Sequence, residues 1–277
     1  MAAVLRAAGE DPEPVPDKSH YTLFNPTPEK YMREMSPDRP DKTDTPFTVD
    51  AGHFQLEMDF ANITLNDPNS RRGQFRETAY EIAPMNLKLG LLNNLDVELV
   101  FTSFRSVEVE DILAGKTHHE SGFAGFTPRC KVNLIGNDGG FLAAGLIPYL
   151  TVPVGNQYLT GNSLEGGMGI PVAFDFPGWD VGYQLTLACN HNFGRSGYHE
   201  EIANSVTVGR HIVGKLGAAA EFYANLSTEN GAGWVGTVDL FLTYQMNKNL
   251  RFDGGVDIGV SADADDLYFW TGMTWRF

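Results

Sequence analysis

From Gly52 to Phe277 the chain alternates apolar and polar residues with a period of two, in segments punctuated by Asn, Asp, Gly and Pro. Successive strand side chains point to opposite faces, so this pattern describes strands with one apolar and one polar face. It predicts twelve strands, at 53–65, 74–91, 95–106, 121–135, 140–153, 166–176, 179–193, 201–213, 215–227, 233–246, 250–260 and 267–277. Helical runs with capping signals are missing, apart from a short turn around 29–35.

The connections narrow the choice of fold. Those at 92–94, 136–139, 177–178, 214 and 247–249 have the length and the Asn, Gly or Pro content of tight hairpins. Those at 67–73, 107–120, 155–165, 194–200, 228–232 and 261–266 are mostly longer and polar. Short and long alternate, and with an even strand count every short turn falls at one end of the sheet. That asymmetry belongs to an all-β, antiparallel up-and-down transmembrane barrel of the outer-membrane kind. A soluble sandwich gives no reason for it.

The last strand shows which face meets lipid. Leu267, Phe269, Thr271, Met273, Trp275 and Phe277 lie on one side, and Tyr268, Trp270, Gly272, Thr274 and Arg276 on the other. The three strands before it sort in the same way. On the apolar face Phe176, Trp179, Tyr244, Phe252, Trp275 and Phe277 cluster at the short-turn ends, as a membrane-interface girdle requires. The opposite face carries glycines and carboxylates, which suit a wet interior.

Composition agrees and removes alternatives. The 20 Lys+Arg against 35 Asp+Glu leave a net charge of −15, so a nucleic-acid partner is excluded for want of a basic stripe. A mean hydropathy of −0.22 looks soluble, but alternating strands average to near zero. No window has the ~18 consecutive apolar residues of a membrane-spanning helix. Residues 1–8 are too short an apolar stretch for a secretory signal, so an outer-membrane address implies that a signal has been removed. Residues 1–50 are set apart by prolines and charge: an irregular acidic lead-in, expected to be a plug or a periplasmic segment, before a barrel at 51–277.

The ending Phe269-x-Thr271-x-Met273-x-Trp275-x-Phe277 resembles the C-terminal signal read by the bacterial barrel-assembly machinery, which implies that partner beside outer-membrane lipid. More narrowly, Asp38-Arg39-Pro40-Asp41, Thr45-Pro46-Phe47-Thr48-Val49 and Gly52-His53-Phe54-Gln55-Leu56-Glu57 resemble the opening of outer-membrane transporters grouped under the meta-pathway of phenol degradation. Looser likeness continues through residues 89–99 and 147–155. The resemblance implies an outer-membrane channel for small, hydrophobic or aromatic molecules and carries over no catalytic residue.

The residues themselves offer a transport lining: Glu57, Asp59, Glu98, Asp175, Glu221, Asp239, Asp253 and Asp257 point inward, opposed by Arg129, Lys131 and Arg251. A wet lumen of this kind disfavours anions and passes neutral or cationic solutes. The same residues can instead satisfy one another and fill the barrel, and twelve strands force neither outcome.

Other motifs are weaker. Asp263, Asp265 and Asp266 lack the glycine and distal glutamate of a calcium loop. His118-His119-Glu120 is a loop pair without metal-site spacing. Gly115-Lys116-Thr117 has Glu110 where a phosphate loop needs its first glycine. Ser196, His199 and His191 could suggest an outer-membrane hydrolase, but they fall in or beside a loop rather than on rigid strands. Cys130 and Cys189 fall on non-neighbouring strands and read as free thiols against lipid. The reading is therefore a passive channel, neither enzyme nor metalloprotein and without cofactor; a closed structural or surface-binding barrel is the alternative and a hydrolase the third.

Overall fold

The computed structural model describes residues 16–192 and 194–277. Residues 1–15, with Pro12 and Pro14 of the expected lead-in, and Phe193, at the end of the expected seventh strand, lie outside the described residues.

Twelve strands form one closed antiparallel barrel. They are β1 (Phe54–Asn66), β2 (Phe75–Leu92), β3 (Leu95–Asp111), β4 (Lys116–Ile135), β5 (Leu142–Gly155), β6 (Glu165–Phe176), β7 (Trp179–His191), β8 (Tyr198–Val213), β9 (Leu216–Ser227), β10 (Trp234–Asn247), β11 (Leu250–Gly259) and β12 (Leu267–Arg276). Each strand pairs with its sequence neighbours, and β12 closes on β1 with Leu56 opposite Trp275 and Ile63 opposite Phe269. Closure leaves no edge strand, so backbone donors and acceptors find partners around the whole ring. One short helix, α1 (Gln157–Thr160), capped by the Asn156 side chain, interrupts the β5–β6 loop, and a 3-10 turn spans Glu29–Tyr31.

Two connections differ from the sequence expectation. The stretch 107–120 is not a long loop: β3 and β4 run on as paired strands, Glu108 opposite His119 and Asp111 opposite Lys116, and turn at 112–115, with β2 alongside to Phe75. A water-exposed hairpin can be polar on both faces, so polarity alone does not separate it from a loop. The β4–β5 turn is correspondingly longer, at 136–141, because Asn137 is drawn inward to bond Thr48 and the Asn93 carbonyl. Short and long connections therefore do not alternate strictly.

The barrel is inside-out relative to a soluble protein. Leu240, Leu242 and Phe222 are 47%, 53% and 44% exposed on its outer wall, whereas Lys131, Asp239 and Glu221 are 0%, 1% and 2% exposed inside. Only a surface solvated by lipid rewards that distribution. Phe176, Trp179, Tyr244, Phe252, Trp275 and Phe277 all stand exposed toward the short-turn end, with Trp275 packed on Phe277 and Phe277 stacked on Phe54. Cys130 and Cys189 are free. No described helix is long and apolar enough to cross a membrane.

Candidate functional site

The interior is occupied by the chain's own N-terminal segment. Residues 16–35 lie across the short-turn end, 36–48 rise into the barrel and return, and 49–53 lead into β1. Too few apolar side chains are available here to make a core, so charge and hydrogen bonding hold the segment in place.

Its foot is fixed on the turns. Leu23 donates its amide to the Leu91 carbonyl at the end of β2. Lys18 lies 2.6 Å and Arg33 3.0 Å from Asp138 in the β4–β5 turn, and Arg33 also reaches Asn93. Burial works to raise the Asp138 carboxyl, but hydrogen bonds from Asn93 and Lys18 and the charges of Arg33 and Lys18 outweigh it and hold the group below its ordinary value.

Above the foot lies a cluster of buried ions. Cross-strand register sets Lys88 on β2 opposite Glu98 on β3, and Asp96 on β3 opposite Lys131 on β4. The segment adds Asp38, which contacts the Lys131 ammonium and lies 2.6 Å from that of Lys88; Lys88 is also 3.2 Å from Glu57 and 3.3 Å from Glu98. Both lysine side chains are wholly buried. Ions at such depth are tolerated only when paired on all sides, and removing one partner typically costs about 3–5 kcal/mol.

The next level is an arginine clamp. Arg39 places Nη1 2.5 Å from Asp59 on β1, and Nε 3.1 and 3.2 Å from the two Asp253 oxygens on β11. The guanidinium lies 5.8 Å from the Trp270 ring and reaches the wall at Gly272, where any Cβ would overlap both Nη2 and the Met58 carbonyl. Arg251 donates to the Arg39 carbonyl.

The tip, residues 41–45, meets the opposite wall. Lys42 Nζ lies 2.7 Å from Asp239 and 2.5 Å from Asp257. The amides of Lys42 and Thr43 each donate to Glu221 at 2.8 Å, and the Thr43 hydroxyl bonds Ser205 on β8. Asp44 accepts from Arg129 at 3.4 Å while its amide donates to Gln184 on β7 at 2.8 Å. On the return, Thr45 donates to Asp38, Asn133 to the Pro46 carbonyl, and Val49 to Asp96.

Ten of the eleven expected lining residues therefore surround this segment. Glu57, Asp59, Arg129, Lys131, Glu221, Asp239, Arg251, Asp253 and Asp257 contact it directly, and Glu98 does so through Lys88 and Lys131. Asp175 stands apart, exposed beside the β6–β7 turn at the mouth. Lys88 and Asp96 complete the cluster and were missed by sequence reasoning; the signal was the outward parity of Leu87, Leu89, Val97 and Leu99, which turns both inward.

Cavities remain beside the segment. One opens between the segment and the β6–β11 wall in the short-turn half, lined by Pro37, Pro40, Phe47, Val172, Phe174 and Phe241 among others. Another lies higher, against Thr127, Arg129, Tyr149, Gln184 and Tyr223, and a third opens at the short-turn mouth beside Lys30, Met35 and Arg276. Asp41 and Asp44 line both of the first two, so the tip lies between those two spaces.

The remaining sequence candidates are held in local contacts. Asp263 and Asp266 contact Arg71 and Arg72, and Asp265 accepts from Asn66, which ties the β1–β2 and β11–β12 loops together. His199 bonds Asn192 and Glu201 rather than a serine, His119 bonds Ser106, and His118 pairs with Glu120. Among the described residues no group of three or more His, Cys, Asp or Glu could hold a metal.

Residues 37–277 match the family profile described as "Putative MetA-pathway of phenol degradation". No curated protein matches the sequence. Among solved structures, an outer membrane channel from Pseudomonas putida F1 superposes with a TM-score of 0.64 at 12% identity, over 86% of this chain and 99% of that one. The transport unit of the autotransporter AIDA-I from Escherichia coli gives 0.51 at 10% identity, over 81% and 90%. At these identities the likeness is one of fold.

Proposed function

The chain belongs to the MetA-pathway of phenol degradation family, and we propose that it is a passive outer-membrane channel for small, hydrophobic or aromatic molecules, regulated by its N-terminal segment. The observation that carries this reading is the pair of cavities that meet at Asp41 and Asp44 of the tip. The tip is held by polar and ionic contacts, which water can replace, rather than by an apolar core. The lower cavity is bounded by prolines and by Phe47, Phe174 and Phe241, a lining that favours an apolar solute.

In this reading the short turns face the periplasm and the aromatic girdle marks that interface. The final strand addresses the barrel-assembly machinery, and lipid surrounds the outer wall. No catalytic constellation enters the proposal, so the protein is read as a non-enzyme. The lining carboxylates have two roles. With the segment seated, Arg39 and Lys42 neutralise Asp59, Asp253, Asp239 and Asp257; with it displaced, these carboxylates give the lumen its preference for neutral and cationic solutes.

Liposome permeation tests the proposal. Vesicles carrying the protein should admit a small neutral aromatic solute faster than empty vesicles, and Arg39→Ala combined with Lys42→Ala should raise the rate further. Permeation equal to empty vesicles for both proteins would favour the closed structural barrel.

A further inference from the structure

The carboxylates that hold Lys42 form a site for an ammonium group. Glu221, Asp239 and Asp257 lie in direct cross-strand register on β9, β10 and β11, so three carboxylates share one level of the wall. All three are partly committed. Both Glu221 oxygens accept from the amides or hydroxyl of Lys42 and Thr43, and Asp257 Oδ1 accepts from the Trp270 indole at 3.0 Å. The Glu221 and Asp239 carboxyls also share a hydrogen bond, so the oxygens left for a cation are Oδ2 of Asp239 and Oδ2 of Asp257. Lys42 Nζ engages both. The Tyr223 ring centroid lies 5.6 Å from Nζ.

Two carboxylate oxygens beside an aromatic face suit the N–H donors and the positive charge of an alkylammonium. They are too few for the six to eight oxygen ligands that calcium takes. An unfilled site would leave two carboxylates close together and out of water, so it draws in a cation whenever Lys42 leaves. Access comes from the long-loop side. The Lys42 side chain is 34% exposed while that of Asp239 is 2% exposed, and Lys42 and Tyr223 both line the upper cavity.

We propose that Asp239, Asp257 and Tyr223 form a binding site for solutes bearing a primary ammonium on an alkyl stem, and that Lys42 is its tethered occupant. A solute arriving through the upper cavity takes the place of the Lys42 ammonium and frees the tip. The consequence for passage rests on the channel reading above; occupancy of the site does not.

Binding to the full-length, detergent-folded chain tests this directly. In Lys42→Ala the missing atoms are those of n-propylammonium, so calorimetry should show saturable binding of that cation and a rise in unfolding temperature. Adding Asp239→Asn should weaken binding about tenfold or more, the worth of a hydrogen bond to a charged group. The proposal is overturned if binding is absent, if it is unchanged by Asp239→Asn, or if magnesium or sodium binds as well. A second measurement needs no substitution. In the wild-type protein n-propylammonium should speed hydrogen exchange at the Thr43 amide, and equal acceleration by sodium chloride would overturn the proposal. Barrels that bind the amine yet pass no solute would refute the channel and leave the site standing.

Discussion

Arg39 and Gly272 are matched across 233 positions of sequence: the guanidinium of one occupies the space that a side chain on the other would take. Inward positions on β12 otherwise carry Tyr268, Trp270, Thr274 and Arg276, so the missing side chain is local to the clamp. Replacing Gly272 by Ala should displace Arg39 from Asp59 and Asp253 and also strain the β1–β12 seam, because the same Cβ meets the Met58 carbonyl. The expected result is faster permeation of a neutral solute together with a lowered unfolding temperature. Wild-type permeation would show that Arg39 can reseat elsewhere.

The ion cluster around Asp38 gives a prediction about stability. Lys131→Met removes a cation contacting Asp38 and Glu98, while Lys88 stays between the same carboxylates. The loss should approach the ~3–5 kcal/mol of a broken buried pair. Urea unfolding in detergent measures it. Adding Asp38→Asn should recover part of the loss by removing the charge left behind, and purely additive losses would contradict the coupling.

Acid should loosen the foot of the segment. The Asp138 carboxyl is held below its ordinary value, so its stabilising contribution is present above the unfolded-state pKa of about 3.9 and is lost as pH falls through the lower folded value. Protease protection of residues 18–33 should therefore be flat from about pH 5 to pH 8 and decline below about pH 4. Asp138→Asn should be less protected throughout and lose this dependence. A decline already complete at neutral pH would assign the effect to another group.

The outer wall gives the fourth test. Leu240 stands mid-strand on β10 and is 47% exposed. Leu240→Arg should cost about 2–4 kcal/mol of folding free energy in bilayers, the penalty for a cation near the midplane of a barrel wall. Phe277→Arg, at the edge, should cost about 1 kcal/mol or less. Equal costs would place the lipid boundary elsewhere.

The barrel was legible because a period of two repeated twelve times leaves few alternatives. Leu250, Phe252, Val256 and Ile258 against Arg251, Asp253, Gly255 and Asp257 fix both the strand and its inward face. The β3–β4 hairpin was not, since Glu108, Glu110 and His119 look the same in a loop and in a paired strand above the membrane. The site was half legible. Alternation says that Asp239 and Asp257 face inward, but not what meets them. Their partner, Lys42, lies 197 and 215 residues away in a stretch with no period at all, where local pattern carries no long-range information.

The segment enters and leaves through the same mouth: Lys18 and Arg33 sit at the short-turn end, and so does Asp50, hydrogen-bonded to both. In topological terms residues 36–48 are a loop laid into the barrel rather than a strand threaded through it. Withdrawing it requires no chain end to cross the lumen and no strand pair to part. Filling the barrel and closing β12 on β1 are thus topologically separable events.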